Sequence, residues 1–185
     1  MPQPYAIWLL PSQPCHRILK EKITSLSSRY GAPVFNPHCT LCSASSNDMD
    51  SLVEQAAKIS AKIEPFKIPV ERIGYSTEYF QTLYVQLAQV EKLRATRAAF
   101  IQGLSLPAQN QYMPHISLLY ARMTLTQKSA LAATIRLPLE WVTITSAAVV
   151  IPDNPEGDWK DIQSWNALAH FPFEAKKEDA AKDLG

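Results

Sequence analysis

Hydrophobic positions along the chain recur with two periods, and the alternation between those periods lays out the elements. Tyr5 to Leu10 is an apolar run closed by Pro11, which predicts a buried strand. Leu19, Ile23, Leu26 and Tyr30 follow at helical spacing, with Ser12 as the capping residue, a start near Pro14 and Gly31 as the stop. A strand from about Pro37 to Ala44 comes next. The polar stretch Ser45 to Asp48 then caps a second helix, whose stripe is Met49, Leu52, Val53, Ala56, Ile59 and Ile63 and which Pro65 ends. Lys67 to Tyr75 and Phe80 to Leu87 read as strands, the latter with Leu83, Val85 and Leu87 on one face. A helix from about Gln89 to Leu104 turns Val90, Leu93, Phe100 and Leu104 inward. After a polar loop at Pro107 to Gln111, Tyr112 to Tyr120 reads as a strand, with Ile116 and Leu118 on one face and His115, Ser117 and Leu119 on the other. Thr124 or Thr126 caps a helix to about Ile135. Leu139 to Ile151 is β-rich, Pro152 to Asp158 is turn-rich, and Trp165 to Phe173 is a last strand.

This order is β-α-β-α-β, stated twice, with a closing strand. It predicts an α+β fold of two lobes, each with an antiparallel-rich sheet and flanking helices, related by a pseudo-two-fold and facing one another across a cleft. Residues 1–173 form a single bilobal domain on this reading, and 174–185 a charged, mobile tail. The chain has five glycines and no G-x-G, which argues against a P-loop or a Rossmann site.

Composition narrows the function classes. A net charge of +1, with 46% hydrophobic and 19% charged residues, gives no bulk attraction to a nucleic-acid backbone or an anionic membrane. No apolar run approaches the ~20 residues of a membrane span, and the first one lacks the basic flank of a signal peptide. The expected setting is cytoplasmic. The odd cysteine count suits a reducing compartment. Cys39 and Cys42 form a C-x-x-C, but on a strand positions i and i+3 face opposite sides, so they are read as buried thiols with Cys42 on the face of His38 and Thr40.

Two short strands carry the chemistry. His38-Cys39-Thr40 and His115-Ile116-Ser117 each set an imidazole and a hydroxyl ~7 Å apart on one strand face, and each has a proline just before the histidine. One imidazole can take a proton from water and the other can give one to a leaving oxygen. The hydroxyls can donate to phosphoryl oxygens as charge redistributes. No metal or cofactor is needed for such a site. A free enzyme with one neutral and one protonated imidazole has a pH optimum within about a unit of neutrality. The plain alternative is that the hydroxyls satisfy neighbouring strands. His16 and His170 have no acidic or histidine partner at ligand spacing and read as structural.

The paired H-x-[TS] strands resemble those of the two-histidine (2H) phosphoesterases. Tyr5-Ala-Ile-Trp8-Leu-Leu-Pro11, Pro37-His38-Cys-Thr40, Phe80-Gln81, the stretch Tyr112 to Ala121 and Ser164-Trp165 are similar to the plant and fungal cyclic phosphodiesterases of that superfamily, across about residues 5–173. The resemblance implies a bilobal fold with a water-filled cleft lined by both motifs. It implies hydrolysis of 2′,3′-cyclic nucleotides to nucleoside 2′-phosphates. It also implies opening of ADP-ribose 1″,2″-cyclic phosphate, a by-product of tRNA splicing, to ADP-ribose 1″-phosphate. His38 and His115 map to the catalytic pair, Thr40 and Ser117 to phosphate-binding hydroxyls, and Tyr120, Trp8, Phe80 and Trp165 to the substrate wall. The short Gln102–Gln111 segment implies a more open cleft. The expected partner is a small cyclic-phosphate nucleotide bound by a monomer, with no stable nucleic-acid complex. Rival readings are an RNA 2′-5′ ligase-like or 3′-end-processing enzyme, which a basic track along the cleft would favour and the even charge speaks against, and a nucleotide-binding module without turnover, which the two intact motifs disfavour.

Overall fold

The computed structural model describes residues 1–107, 111–152 and 165–174. The expected Pro107–Gln111 loop therefore lies largely outside the described residues, as do most of the turn-rich 152–158 stretch and the tail. The chain runs β1 (Gln3–Pro11), α1 (Cys15–Tyr30), β2 (Cys39–Ser46), α2 (Met49–Ser60), β3 (Phe66–Gly74), a 3₁₀ turn (Tyr79–Gln81), β4 (Leu83–Leu87), α3 (Glu91–Gly103), β5 (His115–Leu119), α4 (Leu125–Thr134), β6 (Trp141–Pro152) and β7 (Trp165–Pro172). The α+β class and the doubled β-α-β-α-β order are as the periodicity requires.

Every strand pair is antiparallel, in the order β2-β1-β6-β3-β4-β5, with β7 also on β6. The two expected sheets are not separate. Phe66 to Pro69 of β3 pairs with β6, and Val70 to Gly74 of the same strand pairs with β4. Pro69 has no N–H to give a ladder, and the pairing passes from one neighbour to the other at that point. One strand thus belongs to both lobes. β1 lies between β2 and β6, so its run Tyr5 to Leu9 is buried on both faces, which is why it reads as unbroken hydrophobicity rather than as alternation.

Local signals set most element ends. The Asp48 carboxylate accepts the Ser51 N–H at the start of α2. Thr124 and Gln127 form a capping box on α4. Gly31, at φ +60°, closes α1 in the left-handed conformation. Two expectations fail. The Ser12 hydroxyl does not cap α1, whose first residue follows Pro14. Ser12 instead accepts the His16 N–H on its carbonyl and donates its own N–H to Thr143. The strand expected from Phe80 begins only at Leu83, because the buried Thr82 hydroxyl lies 2.9 Å from the Tyr79 carbonyl and 2.8 Å from the Ala121 carbonyl and holds Tyr79–Gln81 in a turn.

Gly74 and Tyr84 are cross-strand partners, and the Tyr84 side chain occupies the space a side chain at 74 needs: an added Cβ meets its Cε2, Cζ and hydroxyl oxygen well inside contact distance. The same ring meets His115 edge-on, with centroids 5.2 Å apart. Gly74→Ala is expected to destabilise the fold by about 1–3 kcal/mol through overpacking and to lower activity as the ring is driven toward His115. Chemical denaturation and turnover measured together check this; unchanged turnover in the destabilised variant rules out the link between Tyr84 and His115.

Candidate active site

Each H-x-hydroxyl strand breaks register one residue after its hydroxyl. Ile7 and Trp8, adjacent on β1, pair with Cys42 and Thr40, so Leu41 is an extra residue on β2. Leu83 and Tyr84, adjacent on β4, pair with Leu119 and Ser117, so Leu118 is the extra residue on β5. A bulge reverses the alternation beyond it. Cys42 therefore lies on the face of Ile7, opposite Trp8 and Thr40, and Leu119 lies opposite Ser117. Both are buried and neither lines the cleft, so the expectation that they share the histidine faces is corrected. The same bulges bring Ser43 and Tyr120, each three residues after a hydroxyl, into the cleft.

That cleft encloses about 440 Å³ and is lined by Trp8, His38, Thr40, Phe80, His115, Ser117, Tyr120 and Trp165, all eight residues singled out from the sequence. Sequence reasoning missed Ser43, Ala44 and Ala6 on its wall. A plain strand gives no sign of where a bulge restarts the alternation, so no signal pointed to Ser43.

The two imidazoles are anchored alike. His38 Nδ1 lies 2.7 Å from the Asn36 carbonyl, and His115 Nδ1 lies 2.9 Å from the Met113 carbonyl, in each case two residues back. A carbonyl can only accept, so both rings carry the proton on Nδ1 and present an unprotonated Nε2. His38 is 6% exposed and stacks on Trp8, with centroids 3.6 Å apart and planes 9° apart. Burial pushes its pKa down to about 4, against the pull of the Asn36 carbonyl and with the His115 charge adding to the fall. His115 is less buried, and burial lowers it too. Burial thus favours the neutral form of both rings. Among the described residues no cluster of three or more His, Cys, Asp or Glu is arranged to hold a metal ion.

The hydroxyls differ. Ser117 donates to the Phe80 carbonyl at 2.8 Å and bonds with Tyr120, whose pKa burial raises, so the phenol keeps its proton. Tyr120 stacks on Phe35 at 4.1 Å and meets Phe80 edge-on at 5.2 Å, joining the end of β5 to the entry of β2. Thr40 is held through its backbone. The Tyr112 hydroxyl donates to the Thr40 carbonyl at 3.1 Å, and Arg97 donates to the carbonyl of the bulged Leu41 at 3.2 Å while lying 4.4 Å over the Tyr112 ring. Tyr112 precedes His115 in the chain, so the second motif braces the first. Sequence reasoning gave Arg97 no role. Cys39 and Cys42 are free and buried, as read, and so is Cys15. His16 and His170 stand outside the cleft.

Two braced imidazoles and two hydroxyls facing one cleft of an antiparallel sheet point to a phosphoesterase of the two-histidine class, and comparison with known proteins agrees. Residues 3–167 match the family described as cyclic phosphodiesterase-like protein, and the chain belongs to that family of phosphodiesterases acting on cyclic phosphates. It is 24% identical over 124 residues to the cyclic phosphodiesterase of Arabidopsis thaliana, covering 67% of this chain and 68% of that one. The fold is that of Escherichia coli LigT, solved with 3′-AMP (TM-score 0.61, 16% identity, 95% of this chain and 100% of that one), and of TT0787 from Thermus thermophilus (TM-score 0.60, 16% identity, the same coverage). Among the described residues no helix is long and apolar enough to cross a membrane.

Tyr112→Phe removes the bond to the Thr40 carbonyl and leaves the ring in place. The expected result is a kcat about three- to tenfold lower, with no more than about 1.5 kcal/mol of stability lost. If kcat holds while the denaturation midpoint moves, the hydroxyl supports the fold and not Thr40.

Proposed function

We propose that the enzyme hydrolyses 2′,3′-cyclic nucleotides to nucleoside 2′-phosphates without a metal, in a cleft where His115 acts as the base and His38 as the acid. The observation that carries this reading is the matched pair of imidazoles, each with its tautomer fixed by a carbonyl two residues back and a hydroxyl two residues on. ADP-ribose 1″,2″-cyclic phosphate presents the same five-membered cyclic phosphate and is the second substrate of this reading, which places the enzyme downstream of tRNA splicing. The substrate is a small molecule, and the working unit is a monomer.

His115 is the more exposed ring and has access to water. Its Nε2 takes a proton as the water oxygen bonds to phosphorus. The P–O3′ bond breaks, and the departing 3′-oxygen receives a proton from His38 Nε2. His38 is neutral in the empty site, and two features favour its imidazolium once substrate is in place: the phosphate's negative charge and the π face of Trp8. Ser117 turns its hydrogen from the Phe80 carbonyl to a phosphoryl oxygen, and Thr40 donates from the opposite lobe. Tyr120 stays protonated and serves as a donor.

In EDTA, wild-type enzyme is expected to keep its activity on 2′,3′-cyclic nucleotides, and His38→Ala and His115→Ala each to lose about 10²–10⁴-fold in kcat. The double variant should lose little more, because the two act as a unit. With a substrate whose leaving oxygen needs little protonation, His38→Ala should regain much of its rate and His115→Ala should not. Rescue of His115→Ala instead reverses the two roles, and activity that needs a divalent ion removes the mechanism.

The pH profile follows from burial. Burial lowers both free-enzyme pKa values, so the bell in kcat/KM is expected to centre on the acid side of neutrality. This optimum is more acidic than the near-neutral one read from the sequence. Bound phosphate raises both values, so the kcat profile should sit at higher pH. A kcat/KM optimum above pH 7 contradicts this reading of the site.

A further inference from the structure

The carbonyls that anchor the two imidazoles are themselves held differently. Met113 sits between two residues tied to β4 and its exit. The Leu87 N–H donates to the Pro114 carbonyl at 3.0 Å, and the Gln89 side-chain amide donates to the Tyr112 carbonyl at 2.8 Å. Asn36 has no such frame. It lies in the connection between α1 and β2, ahead of Cys39, the first residue of the ladder. The hydrogen bonds of that connection run to one side of α1. The Ser27 carbonyl accepts the Ala32 N–H at 2.9 Å, and the Ser27 hydroxyl donates to the Pro33 carbonyl at 2.8 Å. Two turns earlier on the same side of the helix, Lys20 Nζ donates to the Phe35 carbonyl at 2.9 Å and to Asn36 Oδ1 at 3.0 Å. Ile23 and Ser27 are buried, which fixes this side of the helix. The next carbonyl along the chain, that of Asn36, is the one that lies 2.7 Å from His38 Nδ1. Phe35 and Pro37, on either side of Asn36, are buried, and Phe35 stacks on Tyr120.

We propose that Lys20 is a positioning residue for the reaction: its ammonium sets the Asn36 carbonyl, and through that carbonyl the tautomer and tilt of the His38 ring. The inference rests on the reading of His38 as the acid. Lys20 does not line the catalytic cleft, so it acts only through the connection it grips. An ammonium carries three hydrogens and meets both acceptors at once with charge-assisted bonds. Those two bonds fix the Phe35 carbonyl and the Asn36 side chain, and with them the orientation of the peptide that follows. Without Lys20, that peptide turns more freely and the acceptor for His38 Nδ1 moves. Which ring nitrogen carries the proton is set by the bond the other makes, so the ring is then free to change tautomer. It is also free to tilt from the leaving oxygen, and small displacements of a proton donor are costly in rate.

The test uses the whole chain, the variants Lys20→Met, Lys20→Arg and His38→Ala, and two cyclic phosphates. Cytidine 2′,3′-cyclic phosphate has an alcohol as its leaving group. Catechol cyclic phosphate has a phenol, whose oxygen needs little protonation. On the cytidine substrate Lys20→Met is expected to lower kcat about tenfold with KM within about twofold, a fraction of the ~10²–10⁴-fold worth of an acid. On the catechol substrate the deficit should shrink to about twofold, in parallel with the rescue of His38→Ala. Lys20→Arg keeps charged donors and should stay within about threefold of wild type on both. NMR of the histidine ring nitrogens in the free proteins gives a readout that does not depend on turnover. Wild type and Lys20→Arg should show His38 protonated on Nδ1 alone, and Lys20→Met a mixture of tautomers. A wild-type kcat or a wild-type His38 tautomer in Lys20→Met overturns the positioning role. So does a deficit equal on both substrates where His38→Ala is rescued. If His38→Ala is not rescued, the acid reading of His38 fails instead, and the ring tautomer alone decides Lys20. The same outcomes decide with Lys20→Gln should the Met variant not fold.

Discussion

The site depends on one backbone constraint, the extra residue that follows each hydroxyl. A regular strand places positions i and i+2 on one face and i+3 on the other. That arrangement puts a histidine and a hydroxyl toward a substrate but keeps the third residue after the hydroxyl away from them. With Leu41 and Leu118 bulged, that third residue returns to the cleft, which is how Ser43 and Tyr120 reach it. The bulged carbonyl of Leu41 no longer pairs regularly, and Arg97 supplies a donor. The Tyr112 hydroxyl then ties the neighbouring Thr40 carbonyl to the other lobe. Deformation in one strand is thus satisfied by groups from elsewhere in the chain, so the cleft geometry and the docking of the lobes are a single problem.

Electrostatics works within that frame. Two imidazoles brought together and away from water resist protonation, and His38 resists more because it is nearly inaccessible. On the proposed mechanism, His38 gains its proton when the anionic substrate enters, while His115 stays neutral. The protonation that the chemistry needs is therefore coupled to binding of the molecule that undergoes it.

Much of this is legible in the sequence, and the reasons are specific. Periodicity identifies the helices because their stripes, such as Met49 through Ile63, face one core. The two H-x-hydroxyl strands stand out because one short spacing occurs twice, and all eight residues chosen with them line one cleft. The errors come from backbone events that leave no mark in a hydrophobic pattern. Cys42 and Leu119 fall on the wrong face when alternation is carried straight through a bulge. The start of β4 is placed early because nothing in Phe80-Gln81-Thr82 reveals a hydroxyl bonded to a residue 39 positions away. Arg97 looks like one more charge on a helix until its bond to Leu41 shows which carbonyl needs it. The depth at which each histidine sits, which lowers both pKa values, depends on the whole fold and leaves no mark in the sequence.

The place of β1 has a consequence for how such a chain comes to be active. Residues at the N-terminus, Ala6 to Pro11, pair with Val150 back to Ile144, near the far end of the described sequence. Trp8, which stacks on His38, sits in that pairing. During synthesis the first lobe therefore waits, with its central strand unpaired on one edge, until β6 has emerged. Contacts this distant in sequence close slowly. A nascent chain in that interval has both motifs but lacks the strand that fixes the wall behind His38, so the catalytic geometry waits on β6.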